Sequence, residues 1–415
     1  MGSGEVRISP STEALTDDGA PAKIGMTKSS KLMKTRISSL SKFGCFRSDY
    51  GVPTVERSDI YGNLDMESAS AGAGNNRRPT HLVVMVNGII GSAKDWRYAA
   101  KQFLKKYPND IIVHCSKRNH SMQTFDGVDV MGKRLADEVL KVVDCYPDLE
   151  KISFVGHSLG GLIARYAVAK LYKKTTTEEN LEKGIIFIEE EEEKGTIAGL
   201  EPVNFITFAT PHLGCRGHKQ APAFCGSYAM EKAAAGVSGI LGKSGKHLFL
   251  NDGRRHGLPP LLIRMTKDSD DLPFISSLQS FRRRVAYANT RFDFVVGWST
   301  SSLRLQHELP KRRSMTRNKN YPHILEATES VQTVDYQDKT TSSPTTLVQV
   351  KRSKTANMEE EMMKGLSKLK WERVDVDFGR STQRIMAHNT IQVQIYSLHS
   401  DGDDVIQHMI DKFML

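Results

Sequence analysis

Cysteine is scarce in this chain of 415 residues. There are five, at Cys45, Cys115, Cys145, Cys215 and Cys225. Their number is odd, and their spacing matches neither a disulfide framework nor a zinc motif. A reducing compartment is therefore expected, and with it an intracellular location, with the cytoplasm favoured and the chloroplast as the alternative. No metal site is expected.

Long apolar runs are also missing. No stretch of 18 apolar residues occurs, so no membrane span is expected. No signal-peptide core lies near Met1, so no secretory leader is expected either. A hydrophobic content of 39% and a mean hydropathy of −0.40 suit one large α/β domain with long polar additions.

Positive charge, in contrast, is in excess, with 58 Lys and Arg against 48 Asp and Glu. Residues 1–50 hold eight basic and five acidic residues, and residues 299–355 hold ten and five. Solvated loops and tails explain this distribution, and attraction to an anionic membrane surface is the alternative. No nucleic-acid-binding module accompanies the charge, so nucleic acid is not expected as a partner.

Composition divides the chain into two parts. Residues 1–77 are rich in Gly, Ser, Thr and charge, which predicts a mostly disordered basic segment. Residues 78–415 are predicted to form the folded domain. Within it, residues 215–260 are interpreted as a cap over the active site, and residues 299–355 as a long polar insertion.

Strand and helix patterns alternate from His81 onward. Strands are predicted at 81–88, 110–114, 151–155, 203–208, 282–287 and 371–378, with a short extended piece at 294–297. Helices are predicted at 95–106, 130–143, 161–172, 359–370 and 402–413. This order predicts an α/β fold with a mostly parallel central sheet flanked by helices.

The pentapeptide Gly156-His157-Ser158-Leu159-Gly160 lies between a predicted strand and a predicted helix. That context is the one a nucleophile elbow requires, because glycines leave room for a tight turn that holds the serine above the sheet. Ser158 is therefore the candidate nucleophile. Since G-x-S-x-G is common by chance, the flanking elements carry the assignment.

A serine nucleophile needs a base and an orienting acid, which in such folds follow it in the order Asp or Glu, then His. Asp293 follows the predicted strand 282–287 and is the candidate acid. The neighbouring cluster Asp268, Asp270 and Asp271 is the fallback.

His388 follows the last predicted strand by ten residues and is the candidate base. His399 is a competitor, and His408 falls within the predicted closing helix, where packing or exposure explains it better. His157 should project away from the nucleophile, which favours a structural role. The oxyanion of the tetrahedral intermediate needs two N–H donors, for which the candidates are the amides of Leu159 and Ile89.

Five segments together resemble the putative serine esterase family of lipase-like α/β-hydrolases found in plants and fungi. They are residues 81–96, 124–131, the elbow, 205–214 and 387–391. The resemblance implies an α/β-hydrolase fold, hydrolysis of acyl esters, lipid substrates and no cofactor, with the triad at Ser158, Asp293 and His388. One departure is Asn87-Gly88, where lipases commonly carry His-Gly in the oxyanion loop.

A serine esterase or lipase is thus the first functional hypothesis. The second is a catalytically idle hydrolase fold that binds lipid or a protein at membranes. A third keeps the chemistry but changes the substrate to a thioester or peptide, between which G-x-S-x-G cannot choose.

Overall fold

A ten-stranded sheet is the centre of the fold. The computed structural model describes residues 55–58, 64–67, 78–174, 195–215, 241–255, 257–327 and 354–415. The strands, in chain order, are β1 (Val55–Ser58), β2 (Leu64–Glu67), β3 (His81–Val86), β4 (Ile111–Cys115), β5 (Lys151–His157), β6 (Tyr172–Lys174), β7 (Gly195–Ile197), β8 (Glu201–Phe208), β9 (Asp268–Ser269), β10 (Leu272–Pro273), β11 (Arg283–Asn289), β12 (Met315–Arg317), β13 (Ile324–Ala327) and β14 (Glu372–Val376). The large sheet has the order β1-β2-β4-β3-β5-β8-β11-β14-β13-β12, while β6 with β7 and β9 with β10 form separate pairs.

Helices connect and cover these strands. The α-helices of the described chain are α1 (Arg97–Lys106), α2 (Val128–Cys145), α3 (Leu159–Leu171), α4 (Gly242–Leu248), α5 (Leu261–Arg264), α6 (Phe274–Gln279), α7 (Trp298–Ser301), α8 (Lys354–Leu366), α9 (Ala387–Thr390), α10 (Tyr396–His399) and α11 (Asp403–Asp411). Short 3₁₀ turns occur at Ala93–Trp96, Ser121–Phe125, Asp252–Arg255, Gln306–Glu308, Arg312–Ser314, Arg384–Met386 and Ser400–Gly402.

Six neighbouring strands, from β4 through β3, β5, β8 and β11 to β14, are parallel. Their carboxyl ends therefore lie along one edge of the sheet, where loops can bring distant residues together. In the pairing register Val86 lies beside Gly156, and His157 lies beside Phe208. The end of β5, which leads into Ser158, is thus enclosed on both sides.

Alternating side chains of the strands feed two hydrophobic cores. In β3, Leu82 and Val84 pack with α2 and α3, whereas Val83 and Met85 pack on the opposite face with α1 and α11. A strand buried on both faces reads as a continuous apolar run, as His81–Val86 does. The predicted α/β-hydrolase architecture, with a mostly parallel sheet between helical layers, is confirmed.

Antiparallel strands extend the sheet at both edges. β1 and β2 form a hairpin that continues from β4, and β12 and β13 continue from β14. Both pairs lie in ranges for which the sequence predicts no strand, namely residues 1–77 and 299–355. Each of these four strands is only three or four residues long, too short to show an apolar alternation.

The remaining predictions about segments have mixed outcomes. The predicted core strands and helices are present, with boundaries shifted by a few residues. Apart from β1 and β2, the predicted disorder of residues 1–77 lies outside the described residues. Residues 216–240 of the predicted cap and residues 328–353 of the polar insertion also lie outside them. In the described ranges, every helix is too short or too polar to span a bilayer.

Candidate active site

Ser158 occupies a strained turn between β5 and α3. Its backbone angles are φ 53° and ψ −124°, a conformation that residues other than glycine rarely adopt. The Ser158 amide donates a hydrogen bond of 2.8 Å to the Phe208 carbonyl oxygen, which anchors the turn to β8. Helix α3 starts at the next residue, so its positive end points at the serine.

Two glycines make this turn sterically allowed. A Cβ atom on Gly156 would lie 2.7 Å from the backbone of Gly161, in the first turn of α3. On Gly160 it would lie 2.3 Å from the Val86 carbonyl oxygen at the end of β3. The packing of α3 against the sheet therefore excludes any side chain at these two positions, as the predicted elbow requires.

His388 connects the candidate nucleophile to the candidate acid. Its Nε2 lies 3.0 Å from the Ser158 Oγ, and its Nδ1 lies 3.0 Å from the Asp293 Oδ2. An ionised carboxylate can only accept, so Nδ1 carries the hydrogen and Nε2 is free to accept the serine proton. The structure thus brings together the three residues that chain order alone had singled out.

Asp293 is held by several donors in addition to His388. Asn289 Nδ2 donates to its Oδ2 at 2.9 Å, and the Val295 and Val296 amides donate to its Oδ1 at 3.0 and 2.8 Å. Burial raises the pKa of Asp293, but the charge and hydrogen bond of His388 and these further donors outweigh it, so the pKa is lowered. The carboxylate beside His388 is therefore ionised at neutral pH.

The same bonds correct one prediction. Residues 294–297 were expected to be extended, but they form a bend after Asp293. The Asp293 carboxylate accepts the amides two and three residues ahead, and such local bonds favour a turn over a strand. Apolar residues at this place are therefore not strand residues.

His157 contacts the candidate base, His388. Its Nε2–H donates to the His388 carbonyl oxygen at 2.7 Å, and the two rings are 4.7 Å apart. Burial lowers the pKa of His157 to about 3, so the ring is neutral at physiological pH. The structural role predicted for His157 thus takes the form of a direct contact with His388.

The alternative candidates are engaged elsewhere. Ring Nδ1 of His399 accepts the Ile395 amide, and the ring of His408 bonds the Tyr287 hydroxyl. Asp268 accepts the amides of Ile275 and Ser276 at the start of α6, as a helix cap does. Asp270 and Asp271 are exposed at the neighbouring turn.

The loop after β3 carries the first candidate oxyanion donor. Ile90 has φ 59°, its amide donates to Thr124 Oγ1 at 2.9 Å, and the Gly91 amide donates to the Gly88 carbonyl oxygen at 3.1 Å. Neither the Ile89 amide nor the Leu159 amide donates to an acceptor among the described residues. Both N–H groups are thus left for another acceptor.

The side chain of Asn87 stabilises this loop through two hydrogen bonds. Its buried Nδ2 donates to the Asn119 carbonyl oxygen at 2.9 Å and to the Gly88 carbonyl oxygen at 3.1 Å. The departure from His-Gly therefore keeps a side chain that holds the loop. Sequence reasoning missed Asn119 and Thr124 as partners, although Thr124 opens one of the segments on which the family resemblance depends.

Within the described ranges, no group of three or more His, Cys, Asp or Glu side chains is arranged to hold an ion. At the carboxyl edge of the sheet, the residues described above bring together a hydroxyl, an imidazole, an ionised carboxylate and two amides that bond no described acceptor.

The sequence is similar to a protein family and to curated proteins. A family model described as "Putative serine esterase (DUF676)" matches residues 76–303, which is more than half of the chain. "Putative lipase ROG1" of Saccharomyces cerevisiae is 32% identical over 245 residues, covering 58% of this chain and 31% of that protein. "Putative lipase C4A8.10" of Schizosaccharomyces pombe is 31% identical over 233 residues, covering 54% of this chain and 26% of that protein. The chain thus spans less than a third of the length of these curated relatives.

Solved structures give weaker similarities. The mature form of the Bacillus licheniformis lipase BlEst2 aligns with a TM-score of 0.30 and 16% identity, over 58% of this chain and 74% of that one. An alpha/beta hydrolase superfamily protein from Enterococcus faecalis aligns with a TM-score of 0.33 and 13% identity, over 60% and 84% of the two chains. The α/β-hydrolase fold is therefore identified from the strand order of the sheet and not from these alignments.

Proposed function

The chain belongs to the putative serine esterase family (DUF676), and from that premise we propose that it hydrolyses carboxylic esters of lipids. Ser158 is the nucleophile, His388 the general base and acid, and Asp293 the residue that orients the imidazole. The observation that carries the proposal is the hydrogen-bonded chain from Asp293 through His388 to Ser158, with both links at 3.0 Å. This reaction requires no cofactor.

Acylation follows from that geometry. As the Ser158 oxygen attacks the ester carbonyl carbon, its proton moves to Nε2 of His388, and Asp293 stabilises the imidazolium. The carbonyl oxygen becomes an oxyanion, which accepts hydrogen bonds from the free amides of Ile89 and Leu159. The intermediate then collapses: the bond to the alcohol oxygen breaks, and His388 returns its proton to the leaving alcohol.

Deacylation repeats the sequence with water. His388 takes a proton from the water molecule, whose oxygen attacks the acyl carbon of the Ser158 ester. Collapse of the second tetrahedral intermediate breaks the bond to the serine oxygen, and His388 returns the proton to Ser158. The products are a carboxylic acid and an alcohol, and the enzyme is regenerated.

A lipid acyl ester is the proposed substrate class. Its support is the naming of the curated relatives as putative lipases, together with the large apolar side chains exposed on loops around the serine, such as Met122 and Ile385. A panel of esters with increasing acyl length tests it. Turnover that rises with chain length supports the lipid class, while a preference for acetyl esters contradicts it.

Covalent labelling tests the chemistry directly. A fluorophosphonate probe should label the protein, and Ser158→Ala should abolish the label while Ser153→Ala keeps it, since Ser153 Oγ is buried in a structural bond with His81. The alternative is a catalytically idle fold that binds lipid or protein. Well-folded protein that neither takes the label nor hydrolyses any ester would decide for that alternative.

A further inference from the structure

Large apolar side chains are exposed on four loops that follow parallel strands. Ile90 follows β3, Met122 follows β4, Phe294 and Val295 follow β11, and Ile385 follows β14. Met122 is 57% exposed and Ile385 is 66% exposed. Because parallel strands share one carboxyl edge, these five residues surround the edge at which Ser158 lies. We call them the apolar rim.

Hydrogen bonds hold the loops of the apolar rim in place. The Ser121 amide donates to the Gly91 carbonyl oxygen at 3.1 Å, which joins the loops after β3 and β4. The Asn289 side chain donates to the Ala387 carbonyl oxygen at 3.2 Å, which joins the loops after β11 and β14. The exposure of the apolar rim is therefore fixed by the same framework that positions His388.

Most of the exposed charge on these loops is positive. Four exposed cations lie on them, and none forms an ion pair within the described residues: Lys94, Arg118, Arg380 and Arg384. The guanidinium of Arg384 lies 5.5 Å from the centre of the Phe292 ring, directly beside Ile385. Cationic and apolar groups thus occur together on the loops after β3, β4 and β14.

The carboxylates of the same loops are already bonded within the protein. Asp377 is paired with Arg291 and Arg317. Asp126 is paired with Arg134, and Asp293 with His388. Asp95 accepts the Ser92 amide. The face around Ser158 therefore presents positive charge with little opposing negative charge.

We propose that the apolar rim and these four cations bind the protein to a bilayer that contains anionic lipid, with Ser158 facing the bilayer. Apolar side chains insert at the boundary between headgroups and acyl chains, while cations bind the lipid phosphates. The choice of a lipid partner rests on the proposed ester hydrolysis. The charge argues for an anionic lipid surface over a protein partner, since unpaired cations lie on three of the four loops.

The test measures binding of the full chain carrying Ser158→Ala to vesicles by co-sedimentation, so that no substrate is consumed. Vesicles of phosphatidylcholine with phosphatidylserine should bind the protein more tightly than phosphatidylcholine alone, and added salt should weaken the binding. Adding Arg118→Gln and Arg384→Gln should weaken it about 25-fold, since each cation near an anionic surface contributes about fivefold. Adding Met122→Ser and Ile385→Ser should weaken it about tenfold or more.

Matched controls lie at the opposite edge of the sheet. Leu140 is 45% exposed near the end of α2, which leads into the start of β5, and Leu415 is 40% exposed at the end of the chain. Leu140→Ser with Leu415→Ser, and separately Lys105→Gln near the end of α1, should leave vesicle binding unchanged. Thermal melts should show that every variant is folded.

Three results would overturn the proposal. One is the absence of vesicle binding. Another is binding that the rim variants and the controls reduce equally, which would place the contact elsewhere, as in residues 1–50. The third is a dimer, detected by light scattering, that dissociates in the rim variants of a protein that does not bind vesicles. That result would make the apolar rim a protein–protein interface. Hydrolysis of a water-soluble ester by the wild-type chain keeps this outcome separate from a failure of the proposed function.

Discussion

Asp293 determines the tautomer of His388. Its Oδ2 faces Nδ1 of His388 at 3.0 Å, and its pKa is lowered, so it is an acceptor at neutral pH. In Asp293→Asn an amide group can face Nδ1 and favour the wrong tautomer. By analogy with the Ser-His-Asp template, turnover should fall about 10⁴-fold.

The measurement is the turnover number on a water-soluble ester, with circular dichroism to show that the fold is retained. Asp268→Asn is the matched control, because Asp268 was the fallback acid and caps α6 instead. It should change the free energy of unfolding little and leave turnover near normal, because the Asn oxygen can still accept the same amides. Normal turnover in Asp293→Asn together with lost turnover in Asp268→Asn would instead identify Asp268 as the acid.

His157 is a positioning residue, since it touches His388 and not the reacting atoms. Without its Nε2–H, the His388 carbonyl oxygen loses a 2.7 Å hydrogen bond in a partly buried place. An unsatisfied buried carbonyl costs about 1–3 kcal/mol, enough to displace the loop that carries the base. In His157→Phe the turnover number should fall about tenfold.

His157→Gln, which keeps a donor, should recover part of that loss. The Michaelis constant for a short ester should be unchanged in both variants, because His157 makes no contact with substrate in this scheme. A defect in folding alone would lower the active fraction but leave turnover per labelled Ser158 normal. Titration with the fluorophosphonate probe therefore separates positioning from misfolding.

At the scale of elements, the oxyanion loop depends on two neighbours. Asn87 binds the carbonyl of Asn119, and Ile90 binds the hydroxyl of Thr124, both in the segment after β4. Removal of one oxyanion donor typically costs 10²–10³-fold in turnover, and loosening the loop should cost less. Asn87→Ala should therefore lower turnover by about 10–100-fold.

Rates of labelling by the fluorophosphonate should fall by a similar factor, because the probe also develops negative charge on its oxygen. Asn318→Ala is the control, since the Asn318 side chain also stabilises a turn, but in the β12–β13 hairpin. It should label at the normal rate. An unchanged rate in Asn87→Ala would show that the loop holds its shape without that side chain.

The elements that sequence patterns predicted are those that are buried. β3 and β5 are buried almost throughout and rich in apolar residues, and α2 has a clear apolar stripe, so the sequence marks all three. β12 and β13 were missed because they are only three and four residues long, too short to show a period. Their attachment depends on long-range pairs such as Arg317 with Asp377, which no local pattern encodes.

The site residues could likewise be predicted only where the sequence or the fold class marks them. Ser158 could be assigned because a local motif marks it, and Asp293 and His388 because loops after late strands of a parallel sheet converge at one edge. The contacts of Asn87 with Asn119 and of His157 with His388 could not, since each joins segments whose side-chain packing the sequence does not display. Fold class predicts which loops meet, but not which atoms.

The whole molecule contains several histidines that are buried in the neutral form. Burial lowers the pKa of His81 and His157 to about 3 and that of His399 to about 4, and it also lowers the pKa of His212 well below its ordinary value. The unfolded chain takes up these protons near pH 6.5, whereas the folded chain takes them up only at lower pH. Stability is thus present above pH 6.5 and lost as the pH falls toward 4.

Asp95 opposes this trend. Burial raises its pKa to about 6, so the folded chain binds its proton earlier than the unfolded chain and gains stability as the pH falls from 6 to 4. Each group changes the free energy of unfolding by at most about 1.4 kcal/mol per pH unit. Four histidines outweigh one aspartate, so the net effect is a loss of stability on acidification.

We therefore expect the free energy of unfolding, from urea titrations at pH 7.5, 6.5, 5.5 and 4.5, to fall with increasing steepness below pH 6.5. His81→Gln should reduce that steepness by up to about 1.4 kcal/mol per pH unit, because one buried proton acceptor is removed. His120→Gln, at an exposed position, is the control. A stability that stays flat from pH 7.5 to 4.5 would mean that the buried histidines exchange protons without unfolding, through local opening of the layers that cover them.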